Sequence, residues 1–257
     1  MFPTPVSIPM NPSNKSANKT KQDLNGFNAK RQKLVEQLTR ENTIQSHTVK
    51  NAFLSVPREA FFPDSLHDHA YADNAFPIGG GQTISQPSTI AAMLELLDIQ
   101  TGNKVLEIGS GSGYVLALLS HLTSDPTKVF GIELQSELQK QAIQNLRETG
   151  INGIRVNTGN GCLGWKESAP FDRILISAGC SKIPDTLVEQ LLEGGIIVAP
   201  VAIANTNEKT KKNQNQLEIT AATYPDALEL VAYQKQNKKL IPKKRKCCYV
   251  FVPLICD

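Results

Sequence analysis

Residues 104–113 read Lys-Val-Leu-Glu-Ile-Gly-Ser-Gly-Ser-Gly. Val105, Leu106 and Ile108 make a short apolar run with strand character. The glycines that follow let the backbone take positive φ and approach a ligand with no Cβ in the way. Such a turn belongs where a buried parallel strand gives way to a helix. Further β-rich runs recur outward from it: KVFGI at 128–132, IRVNT at 154–158, RILIS at 173–177 and GIIVAPV at 195–201. The stretches between them, such as 136–149, are long enough for crossover helices. This alternation predicts an α/β fold with a doubly wound, mostly parallel sheet. Two later runs, QLEIT at 216–220 and YVFVPL at 249–254, leave no room for such crossovers and are expected to add an antiparallel C-terminal edge.

The rest of the chain frames this core. Its 257 residues, 40% of them hydrophobic, suffice for one large core with a small appendage. Residues 1–22, rich in Pro, Asn, Ser, Lys and Thr, are expected to form a disordered leader. From Phe27, apolar residues at Leu34, Leu38, Val49, Phe53 and Val56 predict two short amphipathic helices ending before Pro57, a small N-terminal helical cap. A polar stretch at 205–216 reads as a surface loop. With 27 Lys and Arg against 24 Asp and Glu, charge alone demands no nucleic-acid partner. No apolar run reaches the roughly 18 to 20 residues of a membrane span. The five cysteines form no C-x-x-C pair, and free thiols in a reducing cytoplasm are expected. His67-Asp68-His69 reads as a polar loop, and no metal site is expected. Seven basic residues between Lys235 and Lys246 read as a solvated loop before the last strand.

The glycine turn also bears on chemistry. A dinucleotide fingerprint wants its third glycine at the place Tyr114 occupies, so Gly109, Gly111, Ser112 and Gly113 favour S-adenosyl-L-methionine over NAD. Glu133, with Leu134 beside it, closes the second strand 24 residues after Gly109. A carboxylate there accepts hydrogen bonds from both ribose hydroxyls of an adenosine and rejects a 2′-phosphate. After the third strand, Asn160-Gly161 offers a polar side chain to an adenine edge.

Upstream lies YADNAFPIGGGQTISQP at 71–87. Together with VPREAFFP, VLEIGSGSGY, GIE, APFDRILIS, LLEGGIIVAPV and YVFVPL, it resembles the protein-L-isoaspartate O-methyltransferase family in order and spacing over about residues 30–257. The resemblance implies a Rossmann-like methyltransferase core at 86–204, preceded by a cap and active-site segment at 23–85. A polar loop and edge strands follow at 205–257, all in one methyltransferase domain. It implies Ser85 as the active-site serine and cofactor contacts at Gln82, Thr83, Ile84, Ser85, Glu107, Ser112, Glu133, Asn160 and Gly161. The family usually has Asp where this chain has Asn160, and often Thr where it has Ile255. An asparagine oxygen still accepts a hydrogen bond from the adenine amino group.

The resemblance further implies methyl transfer to isoaspartyl-containing proteins or peptides by a monomer, with no membrane partner and no nucleic acid. The chemistry needs no catalytic histidine, because an α-carboxylate of pKa about 3.5 is already ionised at neutral pH. Other readings are carboxyl methylation of aspartate in a dedicated peptide, an RNA methyltransferase docked through the basic segment, and a non-catalytic S-adenosylmethionine-binding module.

Overall fold

A computed structural model of the chain describes residues 12–202 and 228–256, with side chains from residue 26 onward. One seven-stranded sheet organises it. The strands are β3 (Val105–Ile108), β4 (Val129–Glu133), β5 (Arg155–Thr158), β6 (Phe171–Ile176), β7 (Leu191–Ala202), β8 (Leu228–Gln236) and β9 (Lys239–Tyr249), in the spatial order β5-β4-β3-β6-β7-β8-β9. The first five are parallel, as the apolar runs predict, and β8 and β9 add antiparallel pairs. The chain order reverses at β3, with β4 on one side and β6 on the other. Ligands of open α/β sheets bind in the crevice beyond the strand ends at this point.

The period-two alternation of a strand sets which side chains face which layer. Val105 packs in a cluster with helices α3 (Pro87–Leu97) and α4 (Tyr114–Thr123), while Leu106 and Ile108 join the opposite cluster with Phe130, Phe171 and Ile174. Glu107 therefore lies on the α3/α4 side, and burial of β3 on both faces puts its carboxylate out of water. On that side the N-terminal cap closes the layer, α2 (His47–Ser55) packing on α4 with Val49, Ala52 and Phe53 buried. Ser46 caps α2, its Oγ accepting from Val49 N–H at 3.2 Å. Helix α5 (Ser136–Glu148) fills the crossover between β4 and β5.

Four expectations need correction. The leader is not without structure throughout: helix α1 runs from Pro12 to Arg40. Proline suits the first helical position, and no glycine or proline interrupts residues 13–25, so the helix continues N-terminally from its packed end. The segment 235–246 is no loop but the β8–β9 hairpin, since an edge strand tolerates lysine on its open side. The run 249–254 is not an edge strand. Cys248, at φ +73°, marks the end of β9, and the chain turns back to bridge Gly179 through Pro253. The cysteines are not all free. Cys162 and Cys256, with Cα atoms 5.4 Å apart, are joined in a disulfide, whereas Cys180, Cys247 and Cys248 are free. The expected loop at 205–216 and strand at 216–220 lie outside the described residues. No helix among the described residues is long and apolar enough to cross a membrane.

Candidate active site

Three turns and the C-terminal tail converge at the strand ends. The first is the glycine turn after β3, where Gly109, Gly111 and Gly113 have φ of +83°, +50° and +87°. The second follows β4. Glu133 is buried and accepts N–H bonds from Gly111 at 2.9 Å and Gln135 at 3.1 Å, so one carboxylate ties the two turns together. The third follows β5, where Asn160 Oδ1 accepts from Cys162 N–H at 2.8 Å and caps a short 3-10 turn. A Cβ on Gly161 would stand 2.3 Å from Ile108 Cγ2, so only glycine lets this turn press against the end of β3. The tail closes the far side: Gly179 N–H donates to Val252 O at 2.8 Å and Leu254 N–H to Gly179 O at 2.7 Å. The disulfide then joins the tail to the turn after β5.

Over this cradle lies an antiparallel hairpin, β1 (Phe76–Gly79) and β2 (Gln82–Ile84). Its tip is clasped by Gln135, whose Nε2 donates to Gly80 O at 2.9 Å. Gly80 takes φ +57°, a left-handed conformation that favours glycine, and a Cβ there would displace the Gln135 amide. Ser85 follows β2 and precedes α3.

These parts enclose three adjoining cavities. The first, about 630 Å³ including its open mouth, is lined by Gln82, Thr83, Gly109, Gly111, Glu133 and Leu134, and by Gly161 and the tail from Val252 to Ile255. The second reaches Ile84, Ser85, Glu107, Ser112 and Tyr114. The third, open to the surface, brings Ser85 together with Gln86, Thr89 and the segment Cys248–Val252. Thr83 and Ser177 line all three.

Glu107 holds the strongest electrostatic signal in the cleft. Its Oε1 accepts from Ser177 Oγ at 2.8 Å, whereas buried Oε2 has no hydrogen-bond partner among the described residues. Burial pushes this carboxyl up to about 8, the Ser177 hydrogen bond opposing and the neighbouring Glu133 adding to the rise. A buried carboxylate with a spare oxygen is costly unless a cationic or hydrogen-bonding ligand completes it. Ser110 Oγ is likewise buried without a partner among the described residues.

The structure thus gathers most residues picked from the sequence. Gly113 instead sets the backbone entering α4, its missing Cβ leaving room for Ala142 of α5 at 3.2 Å. Asn160 turns its oxygen to its own loop, and Gly161 lines the cleft. Sequence reasoning did not pick Ser177, although its place at the C-terminal end of a parallel strand was a usable signal. It also passed over Arg58, fully buried beneath the hairpin. Arg58 Nε donates to Ala70 O at 2.9 Å and Nη2 to Ser85 O at 2.7 Å, and the guanidinium lies 4.8 Å from the Tyr114 ring centroid. Burial lowers its pKa from the usual arginine value.

Residues 29–231 match the family described as Protein-L-isoaspartate(D-aspartate) O-methyltransferase (PCMT). A relative from Methanopyrus kandleri named protein-L-isoaspartate O-methyltransferase is 44% identical over 183 residues, covering 71% of this chain and 81% of its own. One of the same name from Aeropyrum pernix is 37% identical over 234 residues, covering 91% of this chain and 82% of its own. Among solved structures, a protein-L-isoaspartate O-methyltransferase superposes with a TM-score of 0.71 at 26% identity, covering 87% of this chain and 65% of its own. A Plasmodium falciparum structure, described as a complex of such a methyltransferase with S-adenosyl-L-homocysteine, shares the fold with a TM-score of 0.71 at 24% identity, over 88% of this chain and 99% of its own.

Proposed function

The chain belongs to the protein-L-isoaspartate O-methyltransferase family, and from that premise we propose that it methylates the free α-carboxylate of L-isoaspartyl residues in damaged proteins and peptides, using S-adenosyl-L-methionine. The observation that carries this reading is the meeting of three cavities at Thr83 and Ser177. A cleft with a buried carboxylate clamp thereby opens directly beside Ser85. The unpartnered Glu107 oxygen and the Glu133 clamp fit a cationic nucleoside cofactor.

When bound, the cofactor supplies a methyl group on a sulfonium, an electrophile that a carboxylate oxygen attacks. The chain's own residues have the rest of the work. Gly111, Gly161, Glu133 and the tail hold the nucleoside end, and Glu107 with Ser112 lies toward the cationic end. Ser85 donates a neutral hydrogen bond to the substrate carboxylate, orienting it without quenching it as a lysine salt bridge would. The hairpin and tail exclude water, so the nucleophile meets its target desolvated and positioned. The methyl ester so formed is an activated acyl group: the next backbone nitrogen attacks its carbonyl, methanol leaves and a succinimide closes. We place the protein in the cytoplasm as a monomer.

Labelled S-adenosylmethionine offered with paired isoaspartyl and aspartyl peptides tests the reading. Methylation of the isoaspartyl member is expected, and equal or no labelling of the pair overturns it. Ser85→Ala should lower turnover of the isoaspartyl peptide about ten- to a hundredfold, the worth of one hydrogen bond to a charged group, with cofactor affinity intact. Turnover within about twofold of the unaltered protein removes Ser85 from this role. Glu133→Ala should weaken cofactor binding by roughly 1.5 to 3 kcal/mol through lost charge-assisted hydrogen bonds. Unchanged affinity by calorimetry would mean that Glu133 serves only the Gly111 and Gln135 amides.

A further inference from the structure

The basic hairpin remains unused by the chemistry above. Strand β9 is the last in the sheet order, so among the described residues one of its edges has no strand beside it. It carries Lys239, Lys243, Lys244, Arg245 and Lys246. Arg245 is paired to Glu229 at 3.0 Å. Among the described residues, Lys243, Lys244 and Lys246 have no carboxylate within ion-pair distance. Lysine on an edge strand is common protection against edge-to-edge aggregation. Here, however, three unneutralised cations fall within four consecutive residues at one end of the strand, and that end leads into the site.

The register fixes where two of these charges sit. Lys246 pairs with Leu230 and Lys244 with Ala232, and both partners pack in the cluster that holds helix α3. Cross-strand partners share a face, so Lys244 and Lys246 belong to the α3 side of the sheet, where α3 begins just after Ser85. From Lys246 the chain runs through Cys248 to Val252, which wall the surface cavity containing Ser85.

We propose that β9 is a docking strand for acidic stretches of the polypeptide substrate, with Lys243, Lys244 and Lys246 as determinants of specificity. The inference rests on the proposed reading of the site. An extended strand rises about 3.3 Å per residue, so Lys244 stands at most about 13 Å from Cys248, the bulge between Lys246 and Tyr249 shortening the path. A substrate extended out of the cavity along β9 therefore brings residues about four to six positions from the isoaspartate onto the lysines. Acidic side chains at those positions meet the unpaired ammonium groups. Polypeptide is favoured over RNA because the path leads from the cavity that holds Ser85, the proposed partner of a peptide carboxylate, and no aromatic side chain on Lys239–Lys246 offers a base a stacking surface.

The test uses isoaspartyl peptides matched in length, with Glu or Gln at four to six positions on either side of the isoaspartate. At low salt the acidic peptide should show a KM roughly five- to twentyfold lower, the sum of a few exposed ion pairs, at unchanged kcat. The difference should vanish at about 0.5 M salt, where screening is short-ranged. The combined variant Lys243→Glu, Lys244→Glu, Lys246→Glu should reverse the preference while leaving kcat for the neutral peptide unaltered. Salt dependence in the unaltered protein decides the matter should the variant not fold. Equal KM for both peptides overturns the docking strand while leaving the site reading intact, whereas absence of methylation in either peptide overturns the site reading itself. Inhibition by a short single-stranded RNA but not by a glutamate-rich peptide lacking isoaspartate would assign the strand to nucleic acid and also overturn the proposal.

Discussion

The unliganded protein should lose stability steadily as pH rises from about 5 to about 8, and Glu107→Gln should flatten most of that slope. The Glu107 carboxyl rises from the ordinary 4.5 to about 8 in the folded state, chiefly through burial. Below 4.5 both states hold the proton. Between there and about 8 only the folded state does, so unfolding releases a proton and stability falls with pH, flattening above that range. The whole window amounts to about 5 kcal/mol at one pKa unit per 1.4 kcal/mol. Chemical denaturation at half-unit pH steps measures it. A slope as steep in the glutamine variant as in the unaltered protein would mean that another group titrates.

The same carboxyl links proton and ligand. A ligand carrying an ammonium group favours ionised Glu107, so S-adenosylhomocysteine binding at pH 7 should expel close to one proton. Its affinity should climb with pH until about 8, where Glu107 is ionised without help. Calorimetry in buffers of different ionisation enthalpy reads the proton directly. No buffer dependence would remove Glu107 from the binding site.

What could be foreseen follows the range of the forces involved. The runs at 104–108, 128–132 and 173–177 became β3, β4 and β6 because a central strand covered on both faces must be largely apolar, and local composition carries that demand, whereas 154–158 became the exposed edge strand β5. The Gly109–Gly113 turn and Glu133 were legible because glycine at positive φ and a carboxylate at a strand end each have a local cause. The tail was not. Its β-rich letters suit a strand, but the Val252 and Leu254 bonds to Gly179, distant in sequence, decide its path. The disulfide, spanning 94 residues, has no local signal at all. Strand β9 was misread because its sequence is polar, and only pairing with the apolar β8 makes it a strand. The long-range links that escaped the sequence are those that close the cleft.

Arg58→Met should destabilise the fold by about 2 to 3 kcal/mol and slow methyl transfer in the protein that remains folded. Two effects compete. Removing a buried charge refunds its desolvation, and hydrophobic replacements of buried ionic groups are often neutral or better. Here, however, the guanidinium has no ion pair among the described residues, and its bonds go to the backbone carbonyls of Ala70 and Ser85. Methionine leaves the buried Ala70 carbonyl unmet, at about 1 to 3 kcal/mol, and also frees the part-buried Ser85 carbonyl, at a smaller cost because water reaches it. It also forfeits the contacts with the Tyr114 and Phe62 rings at 4.8 and 5.2 Å. The unmet acceptors and lost ring contacts outweigh the refund. Because one of those carbonyls belongs to Ser85, the substitution also frees the segment that carries the proposed carboxylate donor. Turnover should therefore fall more than tenfold at a temperature where the variant is folded, with cofactor affinity nearly unchanged. Arg58→Lys keeps the charge but cannot span both acceptors, so it should recover part of the stability and little of the turnover. A methionine variant within about 1 kcal/mol of the unaltered protein would show that desolvation had cancelled the bonds. Full turnover in a destabilised variant would confine Arg58 to the fold and leave Ser85 positioned by α3 alone.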